Sequence, residues 1–209
     1  MTKDLIVVHE GTPISEAARI MDEKRLKRMP VLDSEGFLKG IITTENIRSV
    51  SPSEATSLSV YEITYLLDRL TAKDAMTRNV ITIKPEGLLE EAAVLMRKHR
   101  VGALVVEEEG KAVGIITESD IFDAFIELLG FTDAGTRFSV QAADIPGVLA
   151  EIGGVFRKHG ANITHFANFT DRASGNAELI IRTSHNDCAA IIKELEEKGY
   201  TINSVQHYQ

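Results

Sequence analysis

Two near-identical octapeptides carry the residues with the clearest chemistry, "GIITTENI" at residues 40–47 and "GIITESDI" at residues 114–121. In each, a threonine (Thr43 or Thr117) stands just before a predicted helix, and a polar residue follows three positions later, Asn46 in the first copy and Asp120 in the second. A hydroxyl beside the unpaired N–H groups of a helix start can cap the helix or help to hold an anion. Residues three apart share a helix face. The sequence therefore predicts two related polar junctions, of which only the second carries an acid.

The octapeptides belong to a longer internal repeat. "MTKDLIVV" aligns with "MTRNVITI" and "SEAARIM" aligns with "EEAAVLM". The copies span residues 1–49 and 73–130, and periodicity predicts strand, helix, strand, strand and helix in each. Residues 50–72 open with turn formers and then predict a linking helix with one apolar face. The second copy is introduced by "AKDAM" and the first begins at Met1, so either the first copy is shorter or the sequence starts inside a longer chain.

Residues 136–209 follow a different pattern. Their order is predicted to be strand, helix, strand, strand, helix, strand, which is a ferredoxin-like arrangement. The first helix of this part is predicted to hold Pro146 in its first turn and to end at Gly160. The chain is therefore expected to be an α+β protein with two parts of different ancestry.

Composition excludes several classes of protein. The chain of 209 residues is 44% hydrophobic and 26% charged, which is typical of a soluble globular protein, and its start lacks the apolar segment of a signal peptide. We therefore expect a cytoplasmic protein with no membrane partner. The net charge of −8 leaves no basic excess for a nucleic-acid partner. A single cysteine suits a reducing compartment.

Catalytic and metal-binding patterns are missing from the sequence. The six histidines are scattered, and there is no helix pair of histidines or paired-cysteine spacing that would hold a metal. Neither a nucleophile elbow nor a phosphate loop or dinucleotide fingerprint is present. We predict no catalytic residues, no metal, no cofactor and no enzyme activity.

The duplicated unit, with "GIITTENI" and "GIITESDI", resembles a tandem CBS domain pair. The C-terminal part, with "DIPGVLAEI" and "HGANI", resembles an ACT domain, and the domain order is similar to the acetoin-utilisation protein B family. The resemblance implies a β-α-β-β-α pair followed by a βαββαβ domain. It also implies a regulatory sensor that binds an adenine nucleotide or S-adenosylmethionine as a regulatory ligand.

The resemblance further implies which residues form each cleft. The Thr-x-x-Asp of one copy would meet strand residues of the other, with the Thr suited to a phosphate, the Asp to a ribose and the strand backbone at residues 114–116 to the adenine. The expected first cleft comprises Thr2, Ile6, Lys27, Arg28, Ile115, Thr117 and Asp120. The weaker second cleft comprises Thr43, Asn46, Thr77, Ile81 and Gly102. Thr117 with Asp120, and Thr43 with Asn46, can also be interpreted as ordinary helix caps.

In the ACT part, the resemblance implies a loop pair at a dimer interface that holds an amino acid, or that only joins two chains. The residues concerned are Asp144, Ile145, Pro146, Gly147, Asn162 and Ile163. The expected partners are thus an adenine nucleotide, an amino acid, a second copy in a homodimer and an unidentified regulated protein. The alternative is an oligomerisation scaffold without ligands.

Overall fold

The computed structural model describes residues 1–51, 59–171 and 175–208. They form two compact units, and the boundary between the units falls between Ile121 and Phe122. The turn formers predicted at the start of the linker, residues 52–58, lie outside the described residues.

The first repeat forms the expected sequence of elements. These are β1 (Val8–His9), α1 (Ile14–Glu23), β2 (Arg28–Leu32), β3 (Leu38–Thr43) and α2 (Thr44–Val50). The strands form one sheet in the order β1-β2-β3, with β1 parallel to β2 and β2 antiparallel to β3. The apolar face of α1, through Ile14, Ala17 and Met21, packs into a buried core beneath this sheet.

The second repeat has the same order after two short connecting helices. The connecting helices are α3 (Val60–Leu67) and α4 (Ala72–Ala75), and the repeat comprises β4 (Thr82–Ile83), α5 (Leu89–His99), β5 (Ala103–Glu108), β6 (Lys111–Thr117) and α6 (Glu118–Leu128). Its sheet has the order β4-β5-β6, which matches the first. Helix α5 buries Ala92 and Met96 in the core of this repeat.

The two long repeat helices, α1 and α5, end in the same way. Arg25 and Arg100 follow them in the left-handed region, with φ of 53° and 54°. In each case the next amide reaches back into the helix, from Leu26 to Met21 O at 2.8 Å and from Val101 to Met96 O at 3.0 Å. This is the helix ending that glycine usually adopts, so both arginines occupy a conformation that is costly for a side chain.

The second unit contains the C-terminal domain. Its elements are β7 (Gly135–Ala143), α7 (Val148–Lys158), β8 (Ile163–Asp171), β9 (Asn176–Thr183), α8 (Ala189–Glu197) and β10 (Thr201–Tyr208). The sheet is antiparallel in the order β10-β7-β9-β8. Phe138 of β7 and Phe156 of α7 are fully buried in the core between the sheet and the helices. Their rings pack edge to face with 5.4 Å between the ring centroids.

Two local predictions need correction. Pro146 lies before α7 and not in its first turn, because Gly147 takes φ +98° at the N-cap and only Val148 begins the helix. The β-branched run at residues 80–83 also predicts a strand of that length, but the strand is confined to Thr82–Ile83, which are the two residues that pair with β5.

Candidate functional site

The β6–α6 junction is a complete capping box. The backbone N–H and the hydroxyl of Thr117 donate to Asp120 Oδ2, at 2.8 and 2.6 Å, and the Asp120 N–H donates to Thr117 Oγ1 at 3.3 Å. The second oxygen, Oδ1, lies 3.6 Å from the amino group of Met1. One carboxylate oxygen therefore serves the helix start, and the other faces a positive charge.

These contacts set the charge state of Asp120. Burial raises the pKa of this carboxyl, but the two hydrogen bonds from Thr117 and the charge of the Met1 amino group lower it by more. The net pKa lies below its ordinary value. Asp120 is therefore an anion at neutral pH.

The β3–α2 junction repeats the capping box without the charge. The Thr43 N–H and hydroxyl donate to Asn46 Oδ1 at 3.0 and 2.9 Å, and the Asn46 N–H donates to Thr43 Oγ1 at 3.1 Å. The Asn46 Nδ2 amide then lies 3.5 Å from Thr77 Oγ1. The structure thus brings together Thr43, Asn46 and Thr77 of the expected second cleft.

The start of each repeat crosses onto the octapeptide of the other. Thr2 forms an antiparallel bridge with Ile115, and Thr77 forms the corresponding bridge with Ile41. A Cβ on Gly114 would lie 2.9 Å from Met1 Sδ, and a Cβ on Gly40 would lie 2.4 Å from Met76 Sδ. A methionine from the other repeat therefore packs directly against the leading glycine of each octapeptide, where a side chain would force that methionine to shift.

A cavity of about 440 Å³ lies between the two repeats at the β6–α6 junction. Its apolar wall is formed by Leu5, Ile6, Leu26, Pro30 and Ile115. Three cations from the first repeat line it as well, Arg25, Lys27 and Arg28. The junction contributes Thr117, Glu118 and Ser119. An apolar wall beside three cations and two acids, Asp4 and Glu118, suits an apolar ring that carries a polar or charged tail.

Most of the residues expected in the first cleft line this cavity. They are Thr2, Ile6, Lys27, Arg28, Ile115 and Thr117. The carboxylate of Asp120 is turned back onto Thr117, so the wall is continued by the neighbouring Glu118 and Ser119.

Two expectations about the clefts need correction. Gly102, expected beside Asn46, lines the first cavity instead, because β5 starts next to Arg28 of the opposite repeat. The backbone of residues 114–116 is expected to offer hydrogen bonds to an adenine, but the N–H and C=O of Ile115 are already paired with Thr2, at 3.1 and 3.0 Å. Ile81 of the expected second cleft packs against the core of the second repeat.

Sequence reasoning missed several residues of the cavity wall. Asp4, Leu5, Arg25, Leu26, Pro30, Glu118 and Ser119 line it without having been predicted. For Glu118 a signal was available, because the aligned residue of the first repeat is Thr44 and the charge therefore differs between the copies.

The loop pair of the C-terminal domain is not brought together within one chain. Asp144, Ile145, Pro146 and Gly147 follow β7, whose last residue, Ala143, pairs with Asn176. Asn162 precedes β8, whose first residue, Ile163, pairs with Thr183. Asn176 and Thr183 are the two ends of β9, which at ~3.4 Å per residue lie about 24 Å apart. A single ligand can touch both loops only if they come from different chains.

The described residues contain neither a metal-binding cluster nor a membrane-spanning helix. In the described residues, no group of three or more His, Cys, Asp or Glu side chains is arranged to hold a metal ion. Within the same residues, every helix is too short or too polar to cross a bilayer.

Comparison with known protein families agrees with the fold. The CBS domain family matches residues 1–53 and 72–127, and the ACT domain family matches residues 136–207. This chain belongs to the CBS domain family and carries a C-terminal ACT domain, as its sequence pattern predicted.

Curated relatives are similar over the CBS pair. A CBS domain-containing protein of Dictyostelium discoideum is 32% identical over 130 residues, which cover 62% of this chain and 90% of that protein. A homoserine O-acetyltransferase of Methanococcoides burtonii is 34% identical over 122 residues, but these are 58% of this chain and only 22% of the enzyme. The matched part is thus a small fraction of that enzyme.

Solved structures are similar over the same part. The acetoin utilization protein AcuB of Vibrio cholerae is 25% identical with a TM-score of 0.52, and the match covers 63% of this chain and 90% of that one. A CBS domain pair in complex with 5′-methylthioadenosine and S-adenosyl-L-methionine is 28% identical with a TM-score of 0.50, and the match covers 64% of this chain and 94% of that one.

Proposed function

We propose that this protein is a regulatory sensor that binds an adenosine-containing ligand, an adenine nucleotide or S-adenosylmethionine, in the cavity at the β6–α6 junction. The observation that carries the proposal is the composition of that cavity, in which an apolar wall meets Arg25, Lys27 and Arg28. The similar CBS pair bound to 5′-methylthioadenosine and S-adenosyl-L-methionine supports it, since both compounds contain a 5′-substituted adenosine.

Each wall of the cavity has a role in this proposal. Ile6 and Ile115 hold the base, and Lys27 and Arg28 meet the negative charge of the 5′ substituent. Asp120 contributes through Oδ1, since Oδ2 already accepts both bonds from Thr117. Contact with a ribose hydroxyl therefore displaces the Met1 amino group from Oδ1. The second cleft, with the neutral Asn46, binds such ligands more weakly.

The remaining roles are part of the same proposal and do not rest on the cavity. The ligand acts as a regulatory signal and not as a cofactor, and the protein is not an enzyme. The ACT domains of two chains pair, with an amino acid held between the loop of Asp144–Gly147 and the loop of Asn162. The ligand-bound state alters the activity of a partner protein in the cytoplasm.

A second candidate function is a ligand-free oligomerisation scaffold. It is favoured by one observation, the completeness of both capping boxes, which satisfies Thr117 with Asp120 and Thr43 with Asn46 without any ligand. In that case the octapeptides serve only the fold.

Thermal unfolding and titration calorimetry with AMP, ATP, S-adenosylmethionine and 5′-methylthioadenosine separate the two candidates. A ligand at 100 times its dissociation constant stabilises the folded state by about 2.7 kcal/mol. Lys27→Ala is expected to weaken AMP and ATP more than adenosine, because adenosine offers no phosphate to the ammonium group. Lys98→Ala, an exposed cation on α5, is the matched control. If none of these compounds shifts the unfolding transition, the scaffold is the better explanation.

A further inference from the structure

Two opposite charges converge beside Gly102 in the cavity wall. A Cβ at this position would lie 2.9 Å from Glu118 Oε2 and 3.0 Å from both Nη atoms of Arg28. The carboxylate oxygen and the guanidinium nitrogens are therefore at most about 6 Å apart. The absent side chain of Gly102 leaves the space between them open.

Neither charge is satisfied by a neighbour. Within the described chain, no hydrogen bond or ion pair of 4.0 Å or less engages the side chain of Arg28 or that of Glu118. Both nevertheless line the same cavity, and Arg28 is half-buried. The exposed Glu118 and the half-buried Arg28 thus offer opposite charges across one space to a group that carries both charges.

The pair is confined to one of the two clefts. In the repeat alignment Arg28 corresponds to Ala103, and Glu118 corresponds to Thr44. Both charges are thus absent from the related positions of the other copy. A helix that merely needed a good first turn would not require an acid opposite an arginine, whereas a ligand with two charges does.

We propose that the cavity selects an adenosine that carries a zwitterionic α-amino-acid group on its 5′ side, and that Arg28 and Glu118 are the residues that select it. The proposal rests on the function proposed above and specifies its ligand. The guanidinium of Arg28 receives the carboxylate through two parallel hydrogen bonds, and the carboxylate of Glu118 receives the ammonium. A polyphosphate in the same place meets the like charge of Glu118, which disfavours ATP.

The test compares four ligands by titration calorimetry on the full chain. S-adenosylmethionine and S-adenosylhomocysteine carry the amino-acid group, 5′-methylthioadenosine lacks it, and ATP carries phosphates in its place. Both amino-acid compounds are expected to bind at least about tenfold more tightly than 5′-methylthioadenosine, as one charged hydrogen-bonded contact provides. Equal affinity for S-adenosylhomocysteine and 5′-methylthioadenosine would overturn the proposal.

Variants assign the preference to the pair. Glu118→Gln and Arg28→Gln are each expected to weaken S-adenosylhomocysteine about tenfold and to leave 5′-methylthioadenosine within about twofold. Glu118→Gln also strengthens ATP, because a like charge is removed. Gly102→Ala, which places a methyl group between the two charges, removes the preference in the same way. The control is Glu45→Gln, an exposed acid at the start of α2 that pairs with Arg48 at 3.5 Å.

The outcomes distinguish this proposal from the one on which it rests. If 5′-methylthioadenosine binds and Glu118→Gln weakens it as much as it weakens S-adenosylhomocysteine, the cavity is an adenosine site without an amino-acid subsite. If no adenosine compound binds, including 5′-methylthioadenosine, the proposed function itself fails. Unfolding curves for each variant show whether a loss of binding comes from a loss of folding.

Discussion

Thr2 and Ile115 exchange two backbone hydrogen bonds, of 3.0 and 3.1 Å, although they lie in different repeats. Thr77 of the second repeat and Ile41 of the first exchange the corresponding two bonds, of 2.9 and 3.0 Å. Each octapeptide strand is thus completed by a residue from the start of the other copy. Backbone hydrogen bonds therefore join the two repeats, and a change at either junction should alter the stability of both repeats.

Gly40→Ala is expected to destabilise the first unit by about 1–3 kcal/mol, the usual cost of overpacking. The new Cβ would lie 2.4 Å from Sδ of the buried Met76 and 3.0 Å from the carbonyl oxygen of Thr77. Chemical denaturation measures the loss. Gly11→Ala is the matched control, since a Cβ there has no atom within 4 Å.

A second substitution tests whether the crossing residue is the cause. Met76→Ala removes the atom nearest to the new Cβ, so the double variant Gly40→Ala with Met76→Ala should be more stable than the sum of the single effects implies. Such coupling is expected for residues in contact. Simple additivity would show that Gly40 is needed for another reason.

Arg100→Gly is expected to stabilise the protein by up to about 1 kcal/mol. Arg100 follows α5 with φ 54°, and the left-handed conformation costs a side chain about 1–2 kcal/mol, part of which glycine loses again in the unfolded chain. Thermal and denaturant unfolding measure the gain. Lys98→Gly, two residues earlier within α5, should instead cost about 1 kcal/mol. A loss at both positions would contradict the assignment of strain to Arg100.

Asp120→Ala is expected to cost about 1 kcal/mol of stability at pH 7 through the lost cap. Asp120→Asn should cost less, because an asparagine can still form the cap, as Asn46 does in the first repeat, and only the contribution of the charge is lost. The stability of the wild type and that of Asp120→Asn should respond differently to acid. Because folding lowers the pKa of Asp120 below 3.8, its ionised form stabilises the native state above that pH, and this contribution is lost as the pH falls through and below it.

The free energy of unfolding, measured at a series of pH values, checks the direction of this pH dependence. The stability advantage of the wild type over Asp120→Asn should shrink as the pH falls below about 4. Asn46→Asp, the reciprocal change, should acquire a loss of stability in the same range. A difference that grows in acid would show that Asp120 is not stabilised as an anion.

Tyr200 should make the C-terminal domain sensitive to alkali. Burial, and then the hydrogen bond of its hydroxyl to Glu151 Oε2 at 2.7 Å, raise the pKa of Tyr200 to about 12, above its ordinary value of 10.0. The protonated phenol therefore stabilises the fold below pH 10.0, and this contribution is lost as the pH rises to about 12. Ultraviolet titration should show one late tyrosine, which Tyr200→Phe removes and Tyr61→Phe, at an 89% exposed position, does not.

The order of elements could be predicted because its signals are local. The repeated octapeptides define the two copies, and the alternation from strand to helix in each repeat can be read from neighbouring residues. The same reasoning misplaced Pro146. Gly147 adopts a positive φ at the N-cap, so the helix starts only after Gly147 and does not include Pro146. The positive φ of Gly147 could not be predicted, because no pattern of apolar residues around it indicates that conformation.

The wall of the cavity was only partly predictable, because it joins residues from opposite repeats. The resemblance to a CBS pair indicated Thr2, Lys27 and Thr117, which line it. It could not indicate that Glu118 and Arg28 face the same space, since that arrangement depends on the absent side chain of Gly102. Nor could it show that the backbone of Ile115 is already paired with Thr2.

The separation of the two ACT loops has a consequence for how an amino-acid signal would be received. Since the loop before α7 and the loop before β8 lie at opposite ends of β9, a compound that touches both must lie between two chains. Its apparent affinity then depends on the abundance of the protein as well as on the compound itself. A cell that makes little of this protein would respond only at high amino-acid levels, whereas a cell that makes much of it would respond at lower ones.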